Sequence, residues 1–374
     1  MMLTEKDRKN APHNSHGGLT LVPMPGFEVL ATELKTLIEE KHLSKESLRA
    51  RNKSKSKKIT PVDIAIPFFG ERPSGEPYVQ LGKDHIGGHD CFILTSGPGT
   101  CEMTMRLIYL VGYLASRKAD RITIVSGYFP LGRSDKDEGD KELAMPPFLI
   151  QAIKGVDETK LLHRIIAADP HSDQVVMAGG RGGLITPIYL TQLILENVVK
   201  QALNVSDKIC LAFPDDTAAK RFEKVLAPVE EKLGITFAVV STAARRKSGS
   251  VKNVKYIVGD TDQMKDALVL SLDDEIATGT TNINAALRFV NDFGAKEVWA
   301  IATHGVLCGD AVSRFLSPTS PIKRVIITNT IPVESRPELQ PLIDAGILSV
   351  ITWTEELSLI LYYDHWNMNI RETR

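Results

Sequence analysis

The sequence is poor in cysteine and in aromatic residues, and it has no excess of charge of either sign. It contains four cysteines in 374 residues, none in a C-x-x-C pair, so neither a disulfide framework nor a zinc site is indicated. Cys91, Cys210 and Cys308 lie in or beside apolar runs, which predicts buried free thiols. The net charge of −1 gives no general attraction to nucleic acid or membrane. Any affinity for phosphate must therefore be local.

Long apolar runs are also missing. No stretch reaches the roughly 18 to 20 apolar residues that a membrane-spanning helix needs. The polar start M-M-L-T-E-K-D-R-K-N lacks the apolar core of a signal peptide. We therefore expect a cytoplasmic protein without membrane or nucleic-acid partners. With 43% hydrophobic residues, the chain can bury the cores of two ordinary domains.

The most informative stretch runs from Ala267 to Thr281 and reads A-L-V-L-S-L-D-D-E-I-A-T-G-T-T. Its apolar first part has the length of a strand that is buried on both faces of a parallel sheet. Two acids, Asp273 and Asp274, end this run, and a Thr/Gly turn then leads into a helix that Gly294 ends. The chemistry is therefore expected directly after the strand.

This order of strand, acids, turn and helix predicts a site for a sugar phosphate. The first N–H groups of a helix lack partners within the helix and can bind an anion, and threonine hydroxyls add donors. The two carboxylates can accept hydrogen bonds from neighbouring sugar hydroxyls. The simpler alternative, in which the acids end a strand and the threonines cap the helix, is disfavoured by the order of the elements. The predicted phosphate-binding residues are Thr278, Gly279, Thr280 and Thr281.

The same stretch resembles the ribose-phosphate pyrophosphokinases, or PRPP synthetases. A D-D-x-x-x-T-G-x-T loop alone also fits a type I phosphoribosyltransferase, although such an enzyme would normally need only one domain of this kind. The later A-T-H-G-V-L at Ala302 to Leu307 and I-I-T-N-T-I-P at Ile326 to Pro332 favour the synthetases. Across about residues 60 to 360, the resemblance implies an α/β fold. This fold consists of two phosphoribosyltransferase-like α/β/α domains with mainly parallel sheets, arranged as a pseudo-repeat.

Residues 1 to 58 fall outside the resemblance, and we expect an N-terminal extension and basic linker there. Residues 1 to about 26 are not expected to pack in the core, and one short amphipathic helix is predicted around Leu30 to Ile38. The basic K-S-K-S-K-K at residues 53 to 58 is more often a solvated linker than a nucleic-acid or membrane patch. The predicted domains are 59 to 186 and 187 to 353, and a C-terminal helix at 354 to 374 joins the first domain.

In the first domain, the resemblance implies an ATP loop at G-Y-F-P-L-G-R-S-D-K-D-E-G-D, Gly127 to Asp140. Arg133 and Asp135 match the family's ATP-binding cation and acid. Arg133 suits a polyphosphate because its planar guanidinium binds two oxygens at once. The form F-P-x-G-x-S followed by D-E-G-D is similar to the plant-like class II branch. The alternative is a charged loop that is merely solvated.

A second ATP contact is implied at R-P-S-G-E-P-Y-V, Arg72 to Val79. The family has a hairpin here that reaches the adenine across a subunit boundary, and Glu76 is the matching candidate. Ser74 stands where an Asp is usual, so a plain surface turn is an equal alternative.

The resemblance also implies Mg²⁺ as the cofactor. I-I-A-A-D-P-H-S-D-Q, Ile165 to Gln174, is similar to the family's D-L-H-A-x-Q, so Asp169 and His171 are candidate metal residues and His171 also a candidate ATP contact. Asp215, in F-P-D-D-T-A-A-K-R-F, is the matching acid of the second half. An isolated His is more often structural, and Mg²⁺ prefers oxygen ligands and retained water. As an alternative to binding the metal directly, His171 could therefore contact the metal through water or contact a phosphate.

The segment from Ser241 to Lys255 lies where the family has a mobile catalytic flap with the pattern K-x-R-x-G. Here this pattern falls on Arg245 and Lys247, so lysine and arginine are exchanged. Phosphoryl-type transfer depends on positioning and on cations where charge accumulates. Both cations are present, and Arg245 and Lys247 are the predicted catalytic residues. A basic flexible loop without a catalytic part is the alternative.

The implied reaction is Mg²⁺-dependent transfer of diphosphate from ATP to the C1 hydroxyl of ribose 5-phosphate, giving PRPP and AMP. The implied assembly is a homo-oligomer with the ATP site near a subunit interface. Ala277 stands where class I enzymes have a third Asp, and Thr280 replaces a Gly, which leaves a larger acceptor such as ADP-ribose as an alternative. The exchanged flap cations leave open a catalytically inactive regulatory subunit.

Overall fold

The computed structural model describes residues 16–43, 62–136, 141–214, 216–246 and 253–370, and the structural statements below refer to these residues. The chain divides into two compact units. The first comprises Met1–Ile188 and Trp353–Arg374, and the second comprises Tyr189–Thr352. In the described part of the chain, no helix has both the length and the apolar character that crossing a bilayer requires.

The first unit is built on a six-stranded parallel sheet with an additional two-stranded hairpin. The eight strands are β1 (Leu19–Pro23), β2 (Asp63–Ile64), β3 (Pro67–Glu71), β4 (Pro77–Leu81), β5 (Asp90–Thr95), β6 (Arg121–Ser126), β7 (Leu162–Ala168) and β8 (Ile185–Ile188). The order in the sheet is β2-β1-β5-β6-β7-β8, and β3 pairs with β4 in the antiparallel hairpin. The helices are α1 (Glu28–Leu37), α2 (Cys101–Ser116), α3 (Met145–Val156), α4 (Asp173–Ala178) and the C-terminal helix (Thr354–His365).

The position of β1 corrects the prediction for the N-terminal residues. All five residues of Leu19–Pro23 are buried, and the strand lies between β2 and β5 inside the sheet. The prediction that residues 1 to about 26 do not pack in the core is therefore wrong for this strand. An isolated five-residue run gives a weak local signal, and the pairing with β5 decides its conformation. The predicted amphipathic helix is confirmed as α1, whereas residues 44–61 lie outside the described part of the chain.

The second unit is built on a seven-stranded sheet. Its strands are β9 (Ile209–Phe213), β10 (Ala238–Arg246), β11 (Asn253–Gly259), β12 (Leu268–Ile276), β13 (Glu297–Gly305), β14 (Ile322–Thr328) and β15 (Leu348–Ile351). They follow the order β11-β10-β9-β12-β13-β14-β15, and only β10 and β11 pair in antiparallel fashion. The helices are α5 (Thr191–Leu203), α6 (Asp216–Leu233), α7 (Thr280–Phe293), α8 (Ala311–Leu316) and α9 (Gln340–Asp344).

The two sheets share one topology. In the first unit the second strand lies beside the first, and β5 to β8 continue on the other side of β1. In the second unit β10 lies beside β9, and β12 to β15 continue on the other side in the same way, with β11 added at the edge. This repetition confirms the predicted α/β pseudo-repeat with mainly parallel sheets. The strand order reverses between β1 and β5 and between β9 and β12, and ligands of such sheets bind at the carboxyl ends of strands near this reversal.

A buried charged cluster fixes the C-terminal helix to the first unit at the opposite edge, where β5 and β6 begin. The guanidinium of Arg121 donates from Nε to Oδ1 of Asp90 at 2.9 Å and from a terminal nitrogen to the carbonyl oxygen of Asp364 at 2.8 Å. His365 Nδ1 lies 2.8 Å from Asp90 Oδ2. Burial raises the pKa of Asp90, but hydrogen bonds with His365 and Arg121 outweigh it, so the net pKa lies below its ordinary value. Asp90 is therefore held as a buried carboxylate.

The cysteines follow the prediction in part. Cys91 and Cys210 are buried and free, and burial raises the pKa of the Cys210 thiol to about 12. Cys308 is exposed, contrary to the prediction, because it follows the end of β13 in a surface turn. Cys101 is exposed as well.

Candidate functional site

The acidic pair lies at the carboxyl end of β12, the strand beside the reversal of strand order in the second unit. The sequence predicts that the strand stops before these acids, but it continues to Ile276. The extension follows from pairing with β13, in which Asp273 faces Ala302 and Glu275 faces His304. Oδ1 of Asp273 accepts a hydrogen bond from the backbone N–H of Asp274 at 2.9 Å. The two acids are partly exposed, so they remain accessible to a ligand.

The Thr/Gly loop, which we define as Ala277–Thr281, joins β12 to the 14-residue helix α7. Thr278, Thr280 and Thr281 are exposed, and the hydroxyl oxygens of Thr278 and Thr280 are 3.1 Å apart. Gly279 precedes the helix with a φ of 73°, in the left-handed region. A Cβ at this position would lie 2.7 Å from the Phe315 ring, so both the backbone and the packing require glycine. The loop therefore presents hydroxyls and the free N–H groups of a helix N-terminus to solvent.

The two motifs that favour the synthetases form a buried hydrogen-bond network beside this loop. His304 Nδ1 lies 2.9 Å from the hydroxyl of Thr330. The hydroxyls of Thr328 and Thr330 both donate to the carbonyl oxygen of Thr303, at 2.7 and 3.1 Å. These residues hold the carboxyl ends of β13 and β14 together. T-H-G and T-N-T-I-P therefore act as a scaffold for the edge that carries the acids.

Arg336 completes this scaffold, and it was not among the residues predicted from the sequence. Its guanidinium donates to the carbonyl oxygens of Gly305, Val306 and Leu307 at 2.7, 2.6 and 3.2 Å. Leu307 has a φ of 44°, a left-handed conformation that costs energy for a non-glycine residue. The guanidinium compensates by satisfying three consecutive carbonyls. The residues that Arg336 contacts are about 30 positions earlier in the chain, so no local motif indicates its role.

Replacing Arg336 by methionine is expected to lower the free energy of unfolding by about 2–3 kcal/mol, because hydrogen bonds to a charged group are lost at a site with little solvent. Urea unfolding of the purified variant measures the change. Arg288→Met, at a partly exposed arginine of α7, is the matched control and is expected to change stability by less than about 0.5 kcal/mol. Equal stability of the two variants would contradict the scaffold role.

In the first unit, the predicted ATP loop follows β6 and is anchored by its apolar residues. Tyr128 and Phe129 are buried. The Tyr128 backbone N–H donates to the Ser96 hydroxyl at 2.8 Å, and its carbonyl oxygen accepts from Gly97 at 2.6 Å. Arg133 is exposed and Asp135 partly exposed, so the predicted ATP-binding groups remain at the surface. Residues 137–140 of the loop lie outside the described residues.

A second loop, which was not predicted as a site from the sequence, adjoins the predicted ATP loop. S-G-P-G-T, Ser96–Thr100, follows β5 at the reversal of strand order and precedes the 16-residue helix α2. The Thr100 hydroxyl caps this helix by accepting from the backbone N–H of Met103 at 3.2 Å. Two glycines and a proline directly before a helix are the signal that could have identified this loop. In the pseudo-repeat it occupies the position that the Thr/Gly loop has in the second unit.

Asp169 and His171 lie directly after β7, the strand that pairs with β6. They are therefore at the same sheet edge as the ATP loop. Asp169 is 1% exposed and has a φ of 35°, whereas His171 is partly exposed. Asp215 lies outside the described residues, within which no group of three or more His, Cys, Asp or Glu side chains is close enough to hold a metal ion.

The remaining predicted residues lie on two hairpins. Glu76 is exposed at the tip of the β3–β4 hairpin and accepts a hydrogen bond from the Ser74 hydroxyl at 2.9 Å, so the residue that replaces the usual Asp orients Glu76. The predicted flap is an extension of the second sheet, in which Arg245 of β10 is paired with Val254 of β11. The side chain of Arg245 and all of Lys247 lie outside the described residues.

Comparison with known proteins gives consistent matches. A family model described as phosphoribosyl synthetase-associated domain matches residues 231–350. Ribose-phosphate pyrophosphokinase of Clostridium acetobutylicum is 30% identical over 283 residues, which cover 74% of this chain and 81% of that protein. Ribose-phosphate pyrophosphokinase 2 of Schizosaccharomyces pombe is 28% identical over 277 residues, 74% of this chain and 79% of that protein.

A solved structure matches over most of the chain. Phosphoribosylpyrophosphate synthetase from Mycobacterium smegmatis has a TM-score of 0.69 and 22% identity, covering 94% of this chain and 99% of that chain. This likeness confirms the predicted fold class. The relatives do not distinguish the plant-like class II branch, which stays a prediction. The identity and coverage of the relatives lead to one conclusion: the chain belongs to the ribose-phosphate pyrophosphokinase family.

Proposed function

We propose that this enzyme transfers the β,γ-diphosphoryl group of ATP to the C1 hydroxyl of ribose 5-phosphate, giving PRPP and AMP. The C1 oxygen forms a bond to the β-phosphorus, and the bond from the β-phosphorus to the oxygen bridging the α-phosphate breaks. AMP leaves with that electron pair, and the hydroxyl proton is released. The observation that carries the proposal is the acidic pair and Thr/Gly loop at the carboxyl end of β12, in a chain of this family.

The sugar half of the reaction is assigned to the second unit. Asp273 and Asp274 would accept hydrogen bonds from the two ring hydroxyls of the ribose. The loop from Thr278 to Thr281 would bind the 5-phosphate through backbone N–H groups and hydroxyls. Holding the acceptor at both ends fixes the direction of its C1 hydroxyl, and such positioning lowers the barrier by removing orientational freedom before the reaction.

The nucleotide half is assigned to the first unit. Arg133 is exposed at the end of an anchored loop, where its guanidinium can bind two phosphate oxygens. Asp135 of the same loop, His171 after β7 and Glu76 at the hairpin tip are the other proposed ATP contacts. Glu76 accepts a hydrogen bond from Ser74, which supports a defined orientation toward an adenine.

A magnesium ion is part of the proposal, and the carboxylate of Asp169 is the kind of donor that it prefers. Mg²⁺ usually binds one or two protein carboxylates together with water and substrate phosphates. Asp215, which lies outside the described residues, is the other candidate carboxylate. Asp169 has a positive φ, which Asp tolerates better than most residues. His171 would bind through water or contact phosphate. When bound, the ion supplies positive charge to the polyphosphate.

Arg245 and Lys247 are proposed as the cations that stabilise charge on the transferred group and on the leaving AMP. The pairing of Arg245 with Val254 supports this role because it places the backbone of Arg245 in the predicted flap hairpin. The order of the two cations is the reverse of the family pattern. Arginine and lysine differ in reach and geometry, so each residue requires its own test.

A homo-oligomer is also proposed, with the β3–β4 hairpin near its interface. A cleft of about 430 Å³ lies between this hairpin and α2, lined by residues including Phe69, Tyr78 and Tyr109. Phe68 on the hairpin is 56% exposed and Met105 on α2 is 42% exposed. These exposed apolar side chains on the hairpin and on α2 support the proposal, because exposed apolar patches are typical of surfaces that bind another protein.

AMP release from Mg-ATP with ribose 5-phosphate or ADP-ribose tests the proposed activity. Turnover is expected with ribose 5-phosphate, and Arg245→Ala and Lys247→Ala are each expected to lower kcat by about 100-fold, the effect of losing one group that stabilises transition-state charge. Lys200→Ala, at an exposed lysine of α5, is the control and should retain wild-type kcat. Turnover with ADP-ribose alone would overturn the assigned acceptor, and unchanged kcat in both flap variants would overturn the assigned cations.

A further inference from the structure

Helix α8 is built into one side of the Thr/Gly loop. The backbone N–H of Leu307 donates to the carbonyl oxygen of Ile276 at 2.9 Å, and that of Cys308 donates to the carbonyl oxygen of Ala277 at 3.1 Å. Phe315 of α8 is buried, with its ring against Gly279. These contacts hold α8 in a fixed position relative to the loop. A side chain of α8 that reaches the loop is therefore positioned by the fold.

Arg314 is such a side chain. Its guanidinium donates a hydrogen bond to the hydroxyl of Thr280, which lies 3.1 Å from the Thr278 hydroxyl. A terminal nitrogen also lies 3.3 Å from Oδ2 of Asp310, and these side chains are 39% and 76% exposed. An ion pair this exposed contributes little stability. The guanidinium can therefore exchange its contact with Asp310 for hydrogen bonds to a bound anion with little loss of stability.

The charge around the loop favours this use of Arg314. Asp273, Asp274 and Glu275 precede the loop by a few residues, and Asp310 precedes α8 and contacts Arg314. A phosphate monoester carries about −1.5 to −2 charge at pH 7, so these acids repel it. A helix N-terminus supplies the equivalent of only about +0.5 charge. A guanidinium adds a full charge and a planar fork that binds two phosphate oxygens.

We propose that Arg314 binds the terminal phosphate of the sugar substrate and selects a phosphate monoester. This inference rests on the proposed function, because it names a further binding residue of the same site. At position 280 this chain has a threonine, whereas the family pattern has a glycine. The threonine hydroxyl orients the guanidinium over the loop.

The test is the affinity for ribose 5-phosphate, measured by calorimetry without nucleotide and as KM in the AMP-release assay. R314Q is expected to raise the Kd for ribose 5-phosphate by about 10- to 100-fold, the effect of losing hydrogen bonds to a charged group. Binding of unphosphorylated ribose and of ATP should change by less than about twofold, because neither presents a phosphate to this loop. R314K should show an intermediate loss, since it keeps the charge without the fork.

Arg288 provides a matched control on α7. It pairs with Asp292 at 3.3 Å with an i,i+4 spacing. Its side chain is 38% exposed, close to the 39% of the Arg314 side chain. R288Q should retain wild-type affinity. Wild-type protein that neither binds nor turns over ribose 5-phosphate would overturn the proposed function and this inference together. Wild-type turnover with equal Kd values for R314Q and R288Q would overturn this inference alone. If R314Q fails to fold, the measurement on R314K tests the inference in its place. A Kd for ribose 5-phosphate equal to that of the wild type in R314K would then overturn the inference.

Discussion

Replacing Asp273 and Asp274 together by asparagine is expected to lower kcat/KM for ribose 5-phosphate by at least about 100-fold. Each carboxylate is proposed to accept a hydrogen bond from a ring hydroxyl, and a hydrogen bond to a charged group contributes about 1.5–3 kcal/mol. Asparagine keeps the side-chain size and an oxygen that can accept the 2.9 Å hydrogen bond from the backbone of residue 274. The loss therefore reports the charge of the acids and not a change in the loop.

The measurement is AMP release as a function of each substrate, with the thermal midpoint of each variant recorded in parallel. KM for ribose 5-phosphate should rise, and KM for ATP should change little. Asp292→Asn, on the exposed face of α7, removes an acid that pairs with Arg288 at 3.3 Å and should retain wild-type kinetics. A double variant with wild-type kcat/KM would show that the two acids do not hold the sugar.

Replacing Asp90 by asparagine is expected to lower the free energy of unfolding by about 3–5 kcal/mol, the cost of removing one partner from a buried ion pair. Asp90 is fully buried, and the change leaves the Arg121 charge without its carboxylate. Asparagine keeps one acceptor oxygen in place of two, so it cannot serve both Arg121 and His365 Nδ1, which lies 2.8 Å from Asp90 Oδ2. Because His365 lies in the C-terminal helix, this helix should detach from the first unit before the rest unfolds. Urea unfolding and hydrogen exchange of residues 354–365 measure the two effects.

The contribution of Asp90 should depend on pH in one direction. Burial raises its pKa, but the hydrogen bonds with His365 and Arg121 bring the net value below the ordinary one. A lowered pKa means that the stabilisation is complete above the unfolded value of about 3.9. It is lost as pH falls through the lower folded-state pKa. The stability difference between wild type and Asp90→Asn should shrink as the pH falls below about 3.9. Asp84→Asn, at an exposed acid of the same unit, should show neither effect.

Much of the fold could be predicted because parallel strands buried on both faces are nearly continuous apolar runs. β5, β6 and β12 are of this kind, and the apolar first part of β12 is the strand on which the sequence analysis depends. β1 was not, because five residues without a helical or alternating pattern carry little local information. The extension of β12 through its acids was also not expected, since pairing with β13 overrides the polar composition.

The candidate site divides in the same way. Asp273, Asp274 and the Thr/Gly loop are contiguous in sequence, so their order alone indicates a strand, a turn and a helix N-terminus. Arg336 and Arg314 could not be found in this way. Arg336 contacts carbonyl oxygens 29 to 31 residues earlier, and Arg314 contacts a hydroxyl 34 residues earlier, so each reaches the site from a distant element.

The sequence by itself determined the fold class, the acidic pair, the glycine-containing turn and the family. These features depend on the composition of short segments and on local backbone preferences. The tertiary structure alone decided which charged residues from distant segments complete the edge of the sheet, and how Asp90, Arg121 and His365 join the chain's last helix to its first unit. The physical reason is that hydrogen bonds and ion pairs between distant segments depend on distances that only the packed sheets establish.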